Sequence, residues 1–162
     1  MSVVSEPVAV SRRIAAPAAV IFGVLADPGR HPELDGSGMV RAAVSPSIVT
    51  AVGDVFVMKM YYSALGDYEI NNHVVEFEPN RRITWEPEAA RGHRAAGSAT
   101  GRWGHRWTFD LVPDGPNATV VTEIYDCSQA PEKQRLGMEN GRVWITSMTK
   151  TLARLDDLCT QG

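Results

Sequence analysis

Cysteine is scarce in this chain of 162 residues, which has only Cys127 and Cys159. Two thiols cannot form the disulfide framework of a small secreted domain. The stretch between them reads as largely helical, and a helix rising about 1.5 Å per residue would hold them roughly 40 Å apart. Each is expected to be a small inert hydrophobe. Long apolar runs are missing as well. Nothing approaches the roughly 20 residues of a membrane span, and the opening "MSVVSEPVAVSRRI" has no basic region followed by an apolar stretch, so the expected compartment is the cytoplasm. Charge of one sign is also lacking: 16 Lys and Arg face 19 Asp and Glu, for a net charge of -3. Without a dense basic run, nucleic acid has little to grip and is not an expected partner. His31, His73, His93 and His105 lack paired zinc spacings, and no Cys-x-x-Cys, His-Glu-x-x-His, Gly-x-Ser-x-Gly or phosphate loop occurs. No metal and no cofactor are expected, and serine-hydrolase and nucleotide-dependent chemistry are set aside.

What is present is 44% hydrophobic content in a length that suits one globular domain over 1–162 with a sizeable core. Seven strands are predicted, over 3–11, 39–43, 54–62, 68–77, 82–86, 104–112 and 119–126. The connections "EPNRR" and "VPDGPNAT" carry the residues that tight turns need, so the later strands should form an antiparallel meander. After the first strand, "AAPAAVIFGVLADPGR" places Pro17 in a first helical turn and Val20, Ile21, Val24 and Leu25 at three-to-four spacing, with a stop at Pro28-Gly29. A second helical turn is predicted over 30–34. The segment 131–160 opens with proline and a first-turn glutamate, and Trp144, Ile145, Met148, Leu152, Leu155 and Leu158 share one face. That pattern predicts one long helix, weakened in its first two turns by Gly137 and Gly141. Small residues dominate 90–101, which is expected to be a loop. The sum is an α+β domain, and if the sheet curves strongly the terminal helix fills only part of its concave face.

The stretches "VSRRIAAPAAVIFGVLADPGRHPELDGSG", "VVEFEPNRRITWEP", "WTFDLVPDGPNATVVTE" and "SMTKTLARL" together resemble the START-like (SRPBCC) superfamily, in its polyketide cyclase/dehydrase and lipid-transport branch. The resemblance covers nearly the whole chain and rests on element order and distributed motifs, none of them a catalytic signature. It implies a helix-grip fold, a seven-stranded curved antiparallel sheet wrapped around the long C-terminal helix, with a mostly apolar cavity between them. It also implies a hydrophobic ligand, with cyclisation, dehydration or protein binding in some members, so fold alone does not fix function. Leu34 stands where relatives often carry tryptophan, which removes an expected aromatic contact from that turn.

Strand facing follows from charge, because a lysine or carboxylate rarely points into an interior without a partner. In "GRWGHRWTFDL" the period of two puts Trp103, His105, Trp107 and Phe109 on one face, opposite Arg102 and Arg106. In "DVFVMKMYY", Lys59 faces outward and leaves Phe56, Met58, Met60 and Tyr62 inside. In "YEINNHVVEFE", outward Glu76 and Glu78 leave Val75 and Phe77 inside, with His73, Asn71 and Glu69 unless a bulge reverses the list. Ile83 and Trp85 go inward by the same rule. For 119–125 both alternations contain polar residues, and Val120, Thr122 and Ile124 are taken as the packed set. From the terminal helix, Val143, Trp144, Ser147 and Met148 should lie nearest the cavity.

Four tryptophans and two methionines around one space suit a flat hydrophobic ligand, so the first expectation is binding of a small aromatic, polyketide-like or lipid molecule. The second is cofactor-free cyclisation or dehydration, with His105 or His73 moving the proton and Tyr62 assisting. The third is a regulatory module that binds another protein. Monomer and homodimer are both compatible with the chain.

Overall fold

In the computed structural model the described residues are 6–93 and 102–161. The expected first-strand residues 3–5 and the part of the expected loop beyond His93 lie outside them. Seven strands form one antiparallel sheet: β1 (Val8–Ile14), β2 (Val40–Ala43), β3 (Val55–Tyr62), β4 (Gly66–Glu78), β5 (Arg82–Ala89), β6 (Arg106–Pro113) and β7 (Thr119–Asp126). Their spatial order is β1-β7-β6-β5-β4-β3-β2. From β3 onward each strand pairs with its successor; short turns join β3 to β4, β4 to β5 and β6 to β7, and the longer segment 90–105 joins β5 to β6. Asn80, with φ 63, occupies the left-handed position in "EPNRR". β1 instead pairs with the last strand, so the chain must cross from one sheet edge to the other before β2. Helix α1 (Ala18–Leu25), a 3-10 turn over Pro28–Arg30 and helix α2 (His31–Leu34) make that crossing.

β1 runs three residues later than predicted at its end. The Arg12-Arg13 pair does not stop the strand because β1 is an edge strand, where long charged side chains reach solvent and neighbouring elements. Arg12 Nε donates to Asp156 Oδ2 at 2.8 Å and Arg13 Nε to Asp114 Oδ2 at 2.8 Å. Pairing continues to Ile14 opposite Thr119, and Ile14 is fully buried.

The single terminal helix is divided. Helix α3 (Glu132–Gly137) is followed by a distorted turn over Glu139–Trp144, and helix α4 runs over Ile145–Thr160. Glu139, Asn140 and Gly141 have φ of 52, 56 and 95, all in the left-handed region, which ends a right-handed helix. The break follows from packing as well as propensity. A Cβ on Gly141 would lie 2.8 Å from Tyr125 Cδ2, so only glycine lets the backbone rest on that ring.

Helix α4 lies across the concave face, and the architecture is a helix grip. Leu152 and Leu155 of α4 pack with Ile14, Ile21, Leu25, Ile83 and Val121, all at 0–1% exposure. Burying each such side chain stabilises by about 1.5–3 kcal/mol. This core fills one end of the grip, and the N-terminal half of α4 spans a space the core does not fill.

Candidate functional site

That space is a cavity of about 440 Å³, within the range of roughly 300–1,000 Å³ usual for small-molecule sites. All four tryptophans line it: Trp85 from β5, Trp103 ahead of β6, Trp107 from β6 and Trp144 from the turn before α4. So do five of the six methionines: Met39, Met58, Met60, Met138 and Met148. The rings form two connected groups. Deeper in the cavity, His31 stacks on Trp85 at 5.4 Å, and Phe56 and Phe109 meet Trp85 at 5.3 and 5.8 Å. Towards α3, Trp107 contacts Tyr125 at 4.4 Å, while Trp103 and Tyr125 flank His105 at 5.3 and 5.8 Å.

Strand register explains which side chains arrive. On β3, Phe56, Met58, Met60 and Tyr62 line the cavity as expected, Tyr62 at 46% exposure. On β6 and the residues before it, the expected Trp103, His105, Trp107 and Phe109 all line it. On β4 the pairing with β5 slips between Val74 and Glu76, a bulge that reverses the alternation before it. Tyr68, Ile70 and Asn72 therefore face the cavity, and Glu69, Asn71 and His73 do not. His73 sits on the outer face, where its Nε2 lies 2.9 Å from Glu88 Oε1, an oxygen that also accepts from Asn71 Nδ2 at 3.3 Å. Val75 is the unpaired bulge residue, and Phe77 points to the core end, where it meets Phe22 at 5.4 Å. Of the expected His105 or His73 with Tyr62, His105 and Tyr62 both line the cavity, with β4 and β5 between β3 and β6, and His73 lies outside it.

Two further expectations are corrected. On β7 the buried residues are Thr119, Val121, Glu123 and Tyr125, the alternation opposite to the one chosen. The cause is direct pairing with β6, which sets Tyr125 opposite Trp107 and Glu123 opposite Phe109 on one face. Val143 is 43% exposed, because the bend before α4 turns it away, whereas Trp144, Ser147 and Met148 reach the cavity.

Glu123, Tyr125 and His31 are polar side chains of the cavity wall that sequence reasoning missed. Glu123 is 5% exposed, its Oε2 is fully buried, and no hydrogen bond reaches its carboxyl among the described residues. Burial, and secondly the neighbouring Asp35, raise its pKa from 4.5 to about 8. Near neutral pH it is therefore chiefly an uncharged acid with an O–H to give. Asp35 is better served: it accepts from Ser37 N and Val40 N, each at 3.1 Å, and from the Ser37 hydroxyl.

His105 Nδ1 and the Tyr125 hydroxyl share a short hydrogen bond whose direction the ring tautomer sets, and the same hydroxyl lies 3.5 Å from Met138 Sδ. The other ring nitrogen, Nε2, is buried with no hydrogen-bond partner among the described residues. Burial lowers the His105 pKa, opposed by the Gln134 side chain, and burial raises that of Tyr125. His31 Nε2 donates to the Leu25 carbonyl at 2.8 Å, and burial lowers its pKa too. Among the described residues the lining thus holds two carboxyls, His31 and His105 with pKa lowered by burial, His93, and no lysine or arginine.

No protein-family model matches the chain. An uncharacterised protein of Mycobacterium tuberculosis, Rv0088, is 37% identical over 94% of this chain, which spans 63% of that relative's length. Among solved structures, a protein from Arthrobacter aurescens superposes with TM-score 0.70 at 13% identity, covering 96% of this chain and 87% of that one. Protein MLL2253 from Mesorhizobium loti gives 0.66 at 18% identity, covering 96% and 98%. The Aha1 dimer from Colwellia psychrerythraea gives 0.60 at 16% identity, covering 95% and 96%. At these identities the likeness establishes the fold.

Proposed function

We propose that this chain is a START-like binding or carrier domain that holds one small, flat hydrophobic molecule, aromatic or polyketide-like, between its sheet and α4. The observation that carries the reading is the cavity of about 440 Å³ walled by all four tryptophans and five methionines. Rigid ring faces reward a flat apolar ligand by area and by offset or edge contacts, and thioethers adapt to its outline. The test is titration with N-phenyl-1-naphthylamine, an uncharged hydrophobic dye. Saturable binding of one dye per chain, with tryptophan emission transferred to the dye, is expected. Ser147→Trp, which puts a ring into the cavity from α4, should weaken binding at least tenfold without lowering thermal stability. Dye binding that ignores Ser147→Trp would refute the cavity as the site.

A second reading, cyclisation or dehydration by proton transfer, is supported by one observation: an uncharged acid, Glu123, and an imidazole, His105, line the same cavity. It puts Glu123 in the place of the expected His73. If it holds, His105→Gln abolishes turnover of a cyclisable substrate while leaving affinity within a few-fold; unchanged turnover dismisses it.

A further inference from the structure

We infer that Glu123 is the specificity-determining anchor of this cavity, donating a hydrogen bond from its carboxylic acid to an acceptor oxygen, a ketone or quinone carbonyl above all, on an uncharged ring ligand. The inference deepens the binding reading above and rests on it.

The strand neighbours that face Glu123 are apolar: Phe109 is its partner on β6 and Val10 its partner on β1. At 5% exposure its acid is shut in by these neighbours, and Oε2 is fully buried with no hydrogen-bond partner among the described residues. Native structures rarely leave a buried polar atom so, and an unmet donor lining a cavity points to a ligand that meets it. The charge of that ligand follows from the rest of the wall. An anionic ligand such as a fatty acid would find no lysine or arginine among the described lining residues and would face both Asp35 and Glu123. A cationic ligand would require Glu123 to ionise among apolar side chains. A carbonyl oxygen takes the O–H as it stands, with no change of charge on either side. A hydroxyl elsewhere on the same ligand, which can donate or accept, would find a partner in His105 Nε2.

Burial that raises the Glu123 carboxyl to about 8 keeps the donor protonated at neutral pH. The groups around it leave that window clear. Burial holds His31 and His105 below their ordinary range and Tyr68 and Tyr125 above theirs, while Asp35 already accepts from Ser37 and Val40. Affinity for a carbonyl ligand should therefore be constant up to about pH 8 and fall about tenfold per unit above it.

Equilibrium dialysis of 2-acetylnaphthalene, 2-naphthylmethylamine and 2-naphthoate between pH 6 and 9.5 decides the matter. The ketone should bind tightest and the naphthoate weakest, and the ketone affinity should fall above pH 8. Glu123→Gln, whose amide still donates, should keep the ketone affinity and lose its pH dependence. Glu123→Leu should weaken the ketone about tenfold at pH 6.5 with its fold checked by thermal midpoint; if it does not fold, the Glu123→Gln profile carries the test. An amine that binds tighter than the ketone and gains affinity through pH 8, or a ketone affinity that ignores both pH and Glu123, overturns the inference while the cavity reading stands. If none of the three probes binds, the cavity reading falls with it.

Discussion

A carboxyl buried to 5% exposure, with no hydrogen-bond partner among the described residues, binds its proton more tightly in the folded chain than in the unfolded one. For Glu123 the pKa rises from 4.5 to about 8, so its contribution to stability is fully present below pH 4.5 and is lost as pH rises to about 8. Each unit crossed is worth about 1.4 kcal/mol. His31 and His105 act in the opposite sense: burial depresses their pKa below 6.5, and their contribution is lost as pH falls through that range. Urea unfolding between pH 5 and 9 should show Glu123→Gln gaining stability relative to the unsubstituted protein as pH rises to about 8, with no further change beyond. A stability difference that stays constant with pH would mean that Glu123 is not held protonated. Tyr125→Phe removes the hydroxyl that shares the His105 Nδ1 bond and leaves a buried ring nitrogen unmet. Its cost should be about 1–3 kcal/mol in the same measurement, and a neutral outcome would show the bond to be dispensable.

Elements were legible where one face carried a clear charge. Arg102 and Arg106 declared the facing of "GRWGHRWTFDL", and Lys59 that of β3, and both strands lie as those charges require. β7 offered no such marker, since Glu123 breaks the rule that carboxylates face water by keeping its proton. Its facing was readable only from pairing with β6, and pairing is a long-range fact. The bulge at Val75 was equally hidden, because one inserted residue leaves composition unchanged and flips every side chain before it. In the terminal segment Gly137 and Gly141 warned of a weak helix, but the break depends on the Tyr125 ring beneath it. The link between α2 and α4 is as tight. Gly36 N donates to Thr151 Oγ1 at 2.9 Å, and a Cβ there would lie 2.3 Å from the Ser147 carbonyl oxygen. Because α4 backbone cannot give way cheaply, Gly36→Ala should cost about 1–3 kcal/mol in unfolding. It should also weaken dye binding by moving α2 off α4; wild-type stability and affinity in this variant would contradict that packing.

At the scale of the whole molecule, element order and the turn residues foretold the seven-stranded sheet and its helix grip, and the solved structures share that architecture at 13–18% identity. The chemistry of the cavity was less legible. Hydrophobic patterning marks a wall without saying whether atoms fill the space behind it, and here the core packs one end of the grip and leaves the other open. The placement of the methionines offers the most direct test of the central claim. Five of the six line one cavity, so carbon-13 methyl spectra of methionine-labelled protein report on its interior almost exclusively. On titration with N-phenyl-1-naphthylamine, the Met58, Met60 and Met148 methyl resonances should shift together, saturate at one ligand per chain and stay fixed in Ser147→Trp. Dye that binds while those three resonances remain unmoved would place the ligand elsewhere and contradict the account.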